Sequence, residues 1–187
     1  FEATAASVAE ATLDQTGYEE HAVEEVTAER TFEAADQSQD VIVTNWQSEY
    51  DKRVSLGDIG GDVRAAIFTV LATPRVRVLD REFNPVADMS AAELAEMVQD
   101  RYDGMSDLEQ VDSTEASVLG ESTTVGEFEG RAQLVEPGQD VDIVLQIAEA
   151  VTSGDDLVVC IGAYPQVLRT QETDNYFTLL GGVEHDG

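Results

Sequence analysis

Two segments of this sequence are apolar on both faces of a β-strand. In Val63–Leu71 and in Leu157–Tyr164, alternate side chains point to opposite sides of a sheet, and nearly all of both sets are apolar. Such a strand has no solvated face, which predicts a position in the middle of a sheet covered on both sides. We therefore expect the two strands to lie side by side, with helices above and below them. Pro74 is expected to end the first strand.

The segment after the first of these strands carries the clearest helix signals in the chain. Ser90 and Glu93 have the spacing of a capping box, and Met89 and Leu94 have the spacing of a hydrophobic staple. Apolar residues then recur on one stripe with acidic residues opposite, and Gly104 stands where a left-handed residue ends a helix. This helix is expected to lie over the sheet with its polar face outward.

The remaining elements follow from the apolar patterns and from the turn residues between them. We expect helices at Thr4–Gln15 and from a Thr173 cap to about Gly181–Gly182, and strands at His21–Ala34, Val41–Val54, Leu108–Leu119, Thr123–Val135 and Val141–Val151. Turns are expected at Ala35–Gln39, Leu56–Gly61, Pro137-Gly138 and Ser153–Asp156. Asn84-Pro85, before the capped helix, is interpreted as structural because proline restricts the residue that precedes it.

This order of elements predicts an α+β fold. It reads helix, three strands, helix, four strands, helix, and the connections between strands have hairpin length. Strands apolar on both faces require helices on both sides of the sheet. We therefore expect a three-layer α/β/α sandwich around a mostly antiparallel sheet of about seven strands, with three helices, in one domain that spans residues 1–187.

The charge of the chain predicts an unusual solvent. Among 187 residues there are 39 acidic and 10 basic residues, the formal net charge is −29, and Lys52 is the only lysine. Such a charge destabilises a compact state in dilute buffer, but at about 1 M salt the Debye length falls to roughly 3 Å. The scarcity of lysine favours a halophilic protein surrounded by solvated salt cations over an ordinary acidic protein. The charge excludes nucleic acid and anionic membrane surfaces as natural partners.

No residue pattern in the chain points to a catalytic, cofactor-binding or metal-binding site. Cys160 is the only cysteine and lies among apolar neighbours, so we expect it to be buried and inert, without a disulfide or a cysteine-based zinc site. His21 and His185 are expected at the surface or in a tail. The acidic groups that invite weak cation binding are Asp100, Asp103, Asp107 and Asp112, and the pair Asp155-Asp156. We interpret them as solvated surface, because acidic residues occur throughout the chain, and we predict no cofactor.

Trp46 and Tyr50 share one face of a predicted strand. We interpret them as core or edge packing. The alternative is a platform for a sugar or an aromatic ligand, which requires both rings to be exposed together. Their exposure in the folded protein distinguishes these two interpretations.

Several short motifs are spread over nearly the whole chain. They are Phe1-Glu2-Ala3, Thr16-Gly17-Tyr18, Thr44-Asn45-Trp46, Phe83-Asn84-Pro85-Val86, Met89-Ser90, Glu93-Leu94-Ala95 and Gly182-Val183-Glu184-His185. In these motifs the chain resembles an uncharacterised haloarchaeal lipoprotein family. The resemblance implies a domain held on the outer face of the membrane by a lipobox cysteine upstream of Phe1, with no assigned activity and no site residues; the chain as given is expected to be soluble. The order of elements is also similar to the PsbP-like fold.

Three functions are compatible with the sequence. The first is a non-enzymatic, extracytoplasmic binding or assembly module with a protein or cell-envelope partner, which predicts an exposed apolar patch. The second is a small-molecule or ion-binding domain, which predicts an enclosed pocket between a helix layer and the sheet. The third is a hydrolase that uses dispersed carboxylates, which predicts a buried carboxylate pair in a cleft.

Overall fold

A computed structural model describes residues 1–34, 37–55, 62–78, 80–135 and 139–187 of the chain. The elements are β1 (Ser7–Val8), α1 (Glu10–Thr16), β2 (Glu19–Ala34), β3 (Gln37–Ser55), β4 (Asp62–Pro74), β5 (Arg77–Val78), β6 (Arg81–Glu82), α2 (Ala91–Arg101), β7 (Ser106–Val118), β8 (Glu121–Val135), β9 (Gln139–Ser153), β10 (Asp156–Pro165), a 3₁₀ turn (Gln166–Leu168), α3 (Arg169–Gly181) and β11 (Val183–Glu184). The turns expected at Leu56–Gly61 and Pro137-Gly138, and the first two residues of Ala35–Gln39, lie outside the described residues.

Seven strands form one antiparallel sheet in the order β2-β3-β4-β10-β9-β8-β7. The two strands predicted to be apolar on both faces are β4 and β10. They are neighbours, with Val70 opposite Cys160, and β10 is the central strand of the seven. The prediction that they lie side by side in the middle of the sheet is therefore confirmed.

Helices cover both faces of the sheet, as the three-layer prediction requires. On the two-helix face, Phe68 and Val70 of β4 belong to the same buried cluster as Tyr176 and Leu179 of α3, and α1 packs beside α3. On the one-helix face, a second cluster joins α2 to the sheet. Its buried members include Leu94, Val98, Leu145, Ile147 and Val159. The α+β sandwich with three helices is confirmed.

The capped helix forms as its local signals predict. The Ser90 side chain accepts a hydrogen bond from the Glu93 backbone, and the Glu93 carboxylate accepts one from the Ser90 backbone. Leu94 is fully buried and Met89 packs against the same cluster. Gly104 follows the helix with a φ of 88°, a left-handed conformation that glycine adopts without strain.

The first helix is shorter than Thr4–Gln15, and its predicted beginning is wrong. Residues 1–8 form an extended N-terminal strap, in which the Ala3 nitrogen donates to the Thr44 carbonyl at 2.9 Å and Ser7–Val8 pairs with Val183–Glu184. These long-range hydrogen bonds satisfy the backbone without a helix. The helical pattern of small apolar residues therefore fails here because the strap buries Ala3 and Ala6 against the sheet.

The last helix begins four residues before Thr173, so the predicted cap is wrong. The helix starts at Arg169, directly after the 3₁₀ turn, and no side chain caps it. The Thr173 hydroxyl lies 2.7 Å from the hydroxyl of Tyr164. The helix ends at Gly181, as predicted, and Val183 begins β11. A tertiary hydrogen bond thus uses the side chain that resembled a local cap.

Gly162→Ala on β10 is expected to lower the free energy of unfolding by about 1–3 kcal/mol, because added volume in a dense core displaces its neighbours. A Cβ at this position would overlap the ring of Tyr176, which is 2% exposed. Gly181→Ala is the matched control, because a Cβ there meets nothing within 4 Å. Chemical denaturation of both variants in the same molar salt measures the difference. Equal stability of the two variants would show that the Tyr176 ring moves aside freely.

Candidate functional site

One face of the sheet is wider than the helix that covers it. Seven strands spaced by about 4.8 Å span roughly 29 Å, whereas a helix is about 10–12 Å across. α2 packs against β7, β8 and β9, and its cluster reaches Leu157 and Val159 of β10. The part of this face formed by β3, β4 and the far end of β10 therefore lies beside α2 and not beneath it.

Eight side chains form the area that the described residues leave only partly covered, which we call the open strip. They are Gln47, Glu49 and Asp51 on β3, Ile67, Thr69 and Leu71 on β4, and Ile161 and Ala163 on β10. Residues directly opposite each other share a face, and the row continues onto Leu145 and Ile147, which pack under α2. Thr69 is 8% exposed and the other seven are half-buried. The open strip thus has an apolar floor next to α2 and a polar border on β3.

A separate apolar cluster covers the same face of the sheet where the β2–β3 hairpin extends beyond the end of β4. Its buried members are Val41, Val43, Val76 and Val78, and the rings of Phe32 and Phe83 pack with centroids 4.4 Å apart. The Asn84 side chain accepts a hydrogen bond from the Val76 backbone nitrogen at 2.7 Å. This bond holds the segment before α2 on the sheet, which agrees with the structural interpretation of Asn84-Pro85.

Charged side chains border the other end of the open strip. Arg64 donates hydrogen bonds to Glu49 and Asp51, and Nδ1 of His21 lies 3.1 Å from Oδ2 of Asp51. The Glu49 and Asp51 side chains are only 19% and 14% exposed, so these partners replace hydration that both carboxylates lose. His21 is 49% exposed, which agrees with a surface position. No local pattern predicted that these four residues meet.

His185 lies in the C-terminal tail, as expected, but its side chain is buried between the two ends of the chain and is not at the surface. Its side chain is 0% exposed, with Nδ1 2.9 Å from Oγ of Ser153 and Nε2 3.1 Å from Oδ2 of Asp156. Nε2 also lies 3.1 Å from the Thr4 carbonyl, and Asp156 accepts a hydrogen bond from the Thr4 nitrogen at 2.8 Å. We call Thr4, Ser153, Asp156 and His185 the chain-end latch, because they join the strap, the β9–β10 turn and the C-terminal segment.

Serine, histidine and aspartate in contact are also the residue types of a hydrolase triad. In this chain the Gly187 backbone packs against the His185 ring and the Ser153 carbonyl. The imidazole has no exposed surface, and one of its nitrogens is shared between Asp156 and a backbone carbonyl. These surroundings favour a structural role that fastens the chain ends over a role in attacking a substrate.

His185→Leu is expected to lower the free energy of unfolding by about 2–3 kcal/mol, because it leaves buried polar groups of the latch without a partner. Hydrogen exchange of residues 1–8 should accelerate, since Thr4 loses one of its anchors. His21→Leu serves as the control, because a substitution at an exposed position typically changes stability by less than about 0.5 kcal/mol. Unchanged exchange in the strap of the His185 variant would contradict the latch.

Two open hollows flank the latch. The larger has a volume of about 560 Å³ and is lined by residues that include Pro74, Arg75, Arg77, Glu82 and Asp155. The smaller, of about 500 Å³, lies between the strap and the C-terminal segment and includes Ala5, Ser7 and His185 in its lining. Both guanidinium groups of the larger hollow bind Glu82. Neither hollow lies between a helix layer and the sheet, where the small-molecule hypothesis placed a pocket.

A buried ion pair lies beneath α3 on the two-helix face. Glu172 is 1% exposed, and its carboxylate accepts hydrogen bonds from Lys52 at 2.9 Å and Tyr18 at 2.8 Å. Asn175 donates a third bond at 3.2 Å. Burial, together with the charge of Glu172, raises the pKa of Tyr18 above its ordinary value, so its hydroxyl remains a donor. The single lysine of the chain, whose side chain is 17% exposed, thus pairs with a buried carboxylate. Glu172 and Asp156, the two buried carboxylates among the described residues, are each held by their own donors and form no pair.

The remaining sequence candidates lie mostly where they were expected. Cys160 is 0% exposed, and burial raises the pKa of its thiol to about 12, which keeps it protonated and unreactive. Tyr50 is 1% exposed and its hydroxyl accepts a hydrogen bond from the Val8 nitrogen. Trp46 is half-buried against the same cluster. The two rings therefore pack in the core and do not form an exposed platform.

The acidic groups are exposed, with one exception. Asp100, Asp103, Asp107 and Asp112 are exposed, as is Asp155, but Asp156 is 4% exposed and belongs to the latch. Within the described ranges, no three histidine, cysteine, aspartate or glutamate residues are grouped so that they could hold a metal ion. In the same parts of the chain, no helix has both the length and the apolar character needed to cross a membrane.

These features define an acidic α+β sandwich with one incompletely covered sheet face. Residues 5–184 match the family described as Domain of unknown function (DUF6517), and the chain belongs to this family. A comparison with curated proteins found no match. The solution structure of cyanobacterial PsbP (CyanoP) from Synechocystis sp. PCC 6803 is similar with a TM-score of 0.41 and 11% identity, over 98% of this chain and 92% of that chain. A likeness at this level describes the general course of the chain and carries no functional argument.

Proposed function

We propose that this chain is a non-enzymatic, extracytoplasmic binding or assembly module that docks a protein partner on the open strip. The observation that supports the proposal is the half-buried apolar floor of the strip, with Ile67, Leu71 and Ile161 beside α2. Apolar side chains in contact across the middle of a sheet are normally covered, and exposed apolar area is a mark of interaction sites. The latch and the hollows, in contrast, are surrounded by groups that already bind each other.

The environment of this module follows from its charge and from the sequence resemblance. A net charge of −29 with one lysine suits a protein that works in concentrated salt. The resemblance to haloarchaeal lipoproteins supports an anchored domain on the outer face of the membrane. In such a solvent, long-range attraction between charged surfaces is screened, so a partner must be held by short-range apolar and hydrogen-bond contacts. The open strip offers both.

Site-specific photo-crosslinking in native cell extracts at molar salt tests the docking proposal. A photoreactive residue replaces Gln47, a half-buried residue of the strip, or, as the control, Thr27 on the opposite face of β2. We expect a discrete protein adduct from position 47 and none from position 27. The double variant Ile67→Thr, Ile161→Thr should lose the adduct and keep its circular dichroism spectrum. Adducts of equal yield from both positions, or an adduct that survives the double variant, would contradict docking on the strip.

A further inference from the structure

We infer that the partner covers the open strip with an α-helix that has an apolar stripe and a basic flank. The inference rests on the proposed function and names the chemistry of the docked segment. It follows from the dimensions of the strip, from its continuity with the α2 core and from the charges along its border.

The dimensions of the strip favour a single helix. If each strand residue occupies a footprint about 4.8 Å wide and 3.3 Å long, three strands of five residues cover roughly 14 by 17 Å, or about 240 Å². A stable interface between globular proteins buries about 800 Å² on each partner, so the strip alone is too small for a second copy of this chain. A helix is about 10–12 Å wide, and three turns of it are about 16 Å long, which matches the strip.

The floor of the strip continues the apolar core beneath α2. Leu71, Ile161 and Ala163 pack against the same cluster as Leu94 and Val98 of α2. A helix docked on these residues would lie in the layer of α2, at the interaxial distance of about 8–10 Å that packed helices adopt. The one-helix face would then carry two helices, as the opposite face does with α1 and α3. An extended segment fits less well, because strand addition uses the edge of a sheet and the strip is a face.

The charges along the border of the open strip favour a partner helix with basic residues on one flank. Glu49 and Asp51 on β3 and Glu24, which lies opposite Gln47 on β2, place three carboxylates on this side. Arg64 is bound to two of them and compensates one negative charge, so the border remains acidic. At about 1 M salt the attraction between charges decays over roughly 3 Å, so the basic residues must belong to the docked helix itself, where they contact these carboxylates directly.

Binding of three synthetic 18-residue peptides in molar potassium chloride tests this inference. The first peptide is an amphipathic leucine–lysine helix, the second replaces lysine by glutamate, and the third has the composition of the first in an order without an apolar stripe. Fluorescence anisotropy measures affinity for the parent protein, for the Ile67→Thr, Ile161→Thr variant, and for a control variant, Val23→Thr, Ile42→Thr, on the opposite face of the sheet. Val23 and Ile42 are 42% and 56% exposed, so their substitution changes apolar surface away from the strip.

We expect the leucine–lysine helix to bind the parent protein and the control variant equally, and the strip variant at least about tenfold more weakly, which is about 1.4 kcal/mol. Equal binding of the glutamate peptide would overturn the basic flank, and equal binding of the peptide without a stripe would overturn the helix. Absence of binding by all three peptides would overturn the inference as a whole. In that last case a strip-dependent crosslink from position 47 would still support docking, so failure of the inference and failure of the proposed function are distinguishable.

Discussion

Removal of salt is expected to unfold or loosen this protein. The formal net charge is −29, and the Debye length grows from roughly 3 Å at 1 M salt to about 30 Å at 0.01 M. Carboxylates that are screened from each other in brine then repel across the whole surface, and this repulsion opposes the compact state. Far-UV circular dichroism and tryptophan fluorescence during stepwise dialysis from molar to millimolar potassium chloride measure the transition; Trp46 reports on the two-helix core.

Sucrose provides the control for this experiment. It strengthens the compact state because it is excluded from the protein surface, but it does not screen charge. If repulsion is the cause, sucrose at low salt should restore the native spectrum only in part, whereas potassium chloride should restore it fully. An unchanged spectrum at millimolar salt would refute the halophilic interpretation. Complete rescue by sucrose would show that marginal packing, and not charge, limits stability.

Lys52→Met is expected to lower the free energy of unfolding by about 3 kcal/mol, the largest effect of any single substitution considered for this chain. The substitution leaves the Glu172 carboxylate buried without its cation, and an uncompensated buried charge typically costs about 3–5 kcal/mol. Tyr18 and Asn175 still donate to the carboxylate, which keeps the loss near the lower end of that range. Denaturant titration in molar salt measures the loss. Because the pair is buried, added salt should weaken it little.

A second substitution separates charge from packing. In the double variant Lys52→Met, Glu172→Gln both charges are gone, so more than half of the lost stability should return. The matched control is Arg131→Gln, which removes an exposed ion pair with Asp142 at 3.7 Å and should cost less than about 1 kcal/mol. A loss in Lys52→Met no larger than in Arg131→Gln would show that the ion pair contributes little. If the double variant is no more stable than Lys52→Met, the lost stability comes from the packing of the lysine methylene groups and not from its charge.

The parts of the fold that were predicted depend on local rules. The capping box of α2 joins residues three apart, and the central position of β4 and β10 follows from alternation within each strand. The parts that were missed depend on distant residues. The predicted helix from Thr4 was wrong because Thr44 and β11 pair with the strap. The Thr173 cap was wrong because the side chain bonds to Tyr164.

The candidate site was not predicted, although one signal for it was available. The sequence predicts that Ile67 and Ile161 are fully buried, because their strands are apolar on both faces. The described part of the chain places one helix on this face, and a helix about 10–12 Å wide cannot cover seven strands that span roughly 29 Å. The burial of His185 had no such signal. Its partners are Thr4, Ser153 and Asp156, and no pattern within five residues of a chain end indicates contacts of that range.

By itself, the order of residues determined the charge and the centre of this protein: a net charge of −29, and two neighbouring strands whose side chains are apolar on both faces. Only tertiary structure decided which of those apolar side chains remain partly exposed and which residues hold the two chain ends together. The physical reason is that the apolar pattern of a strand depends only on its own side chains, whereas the exposure of each side chain depends on which other elements pack against it.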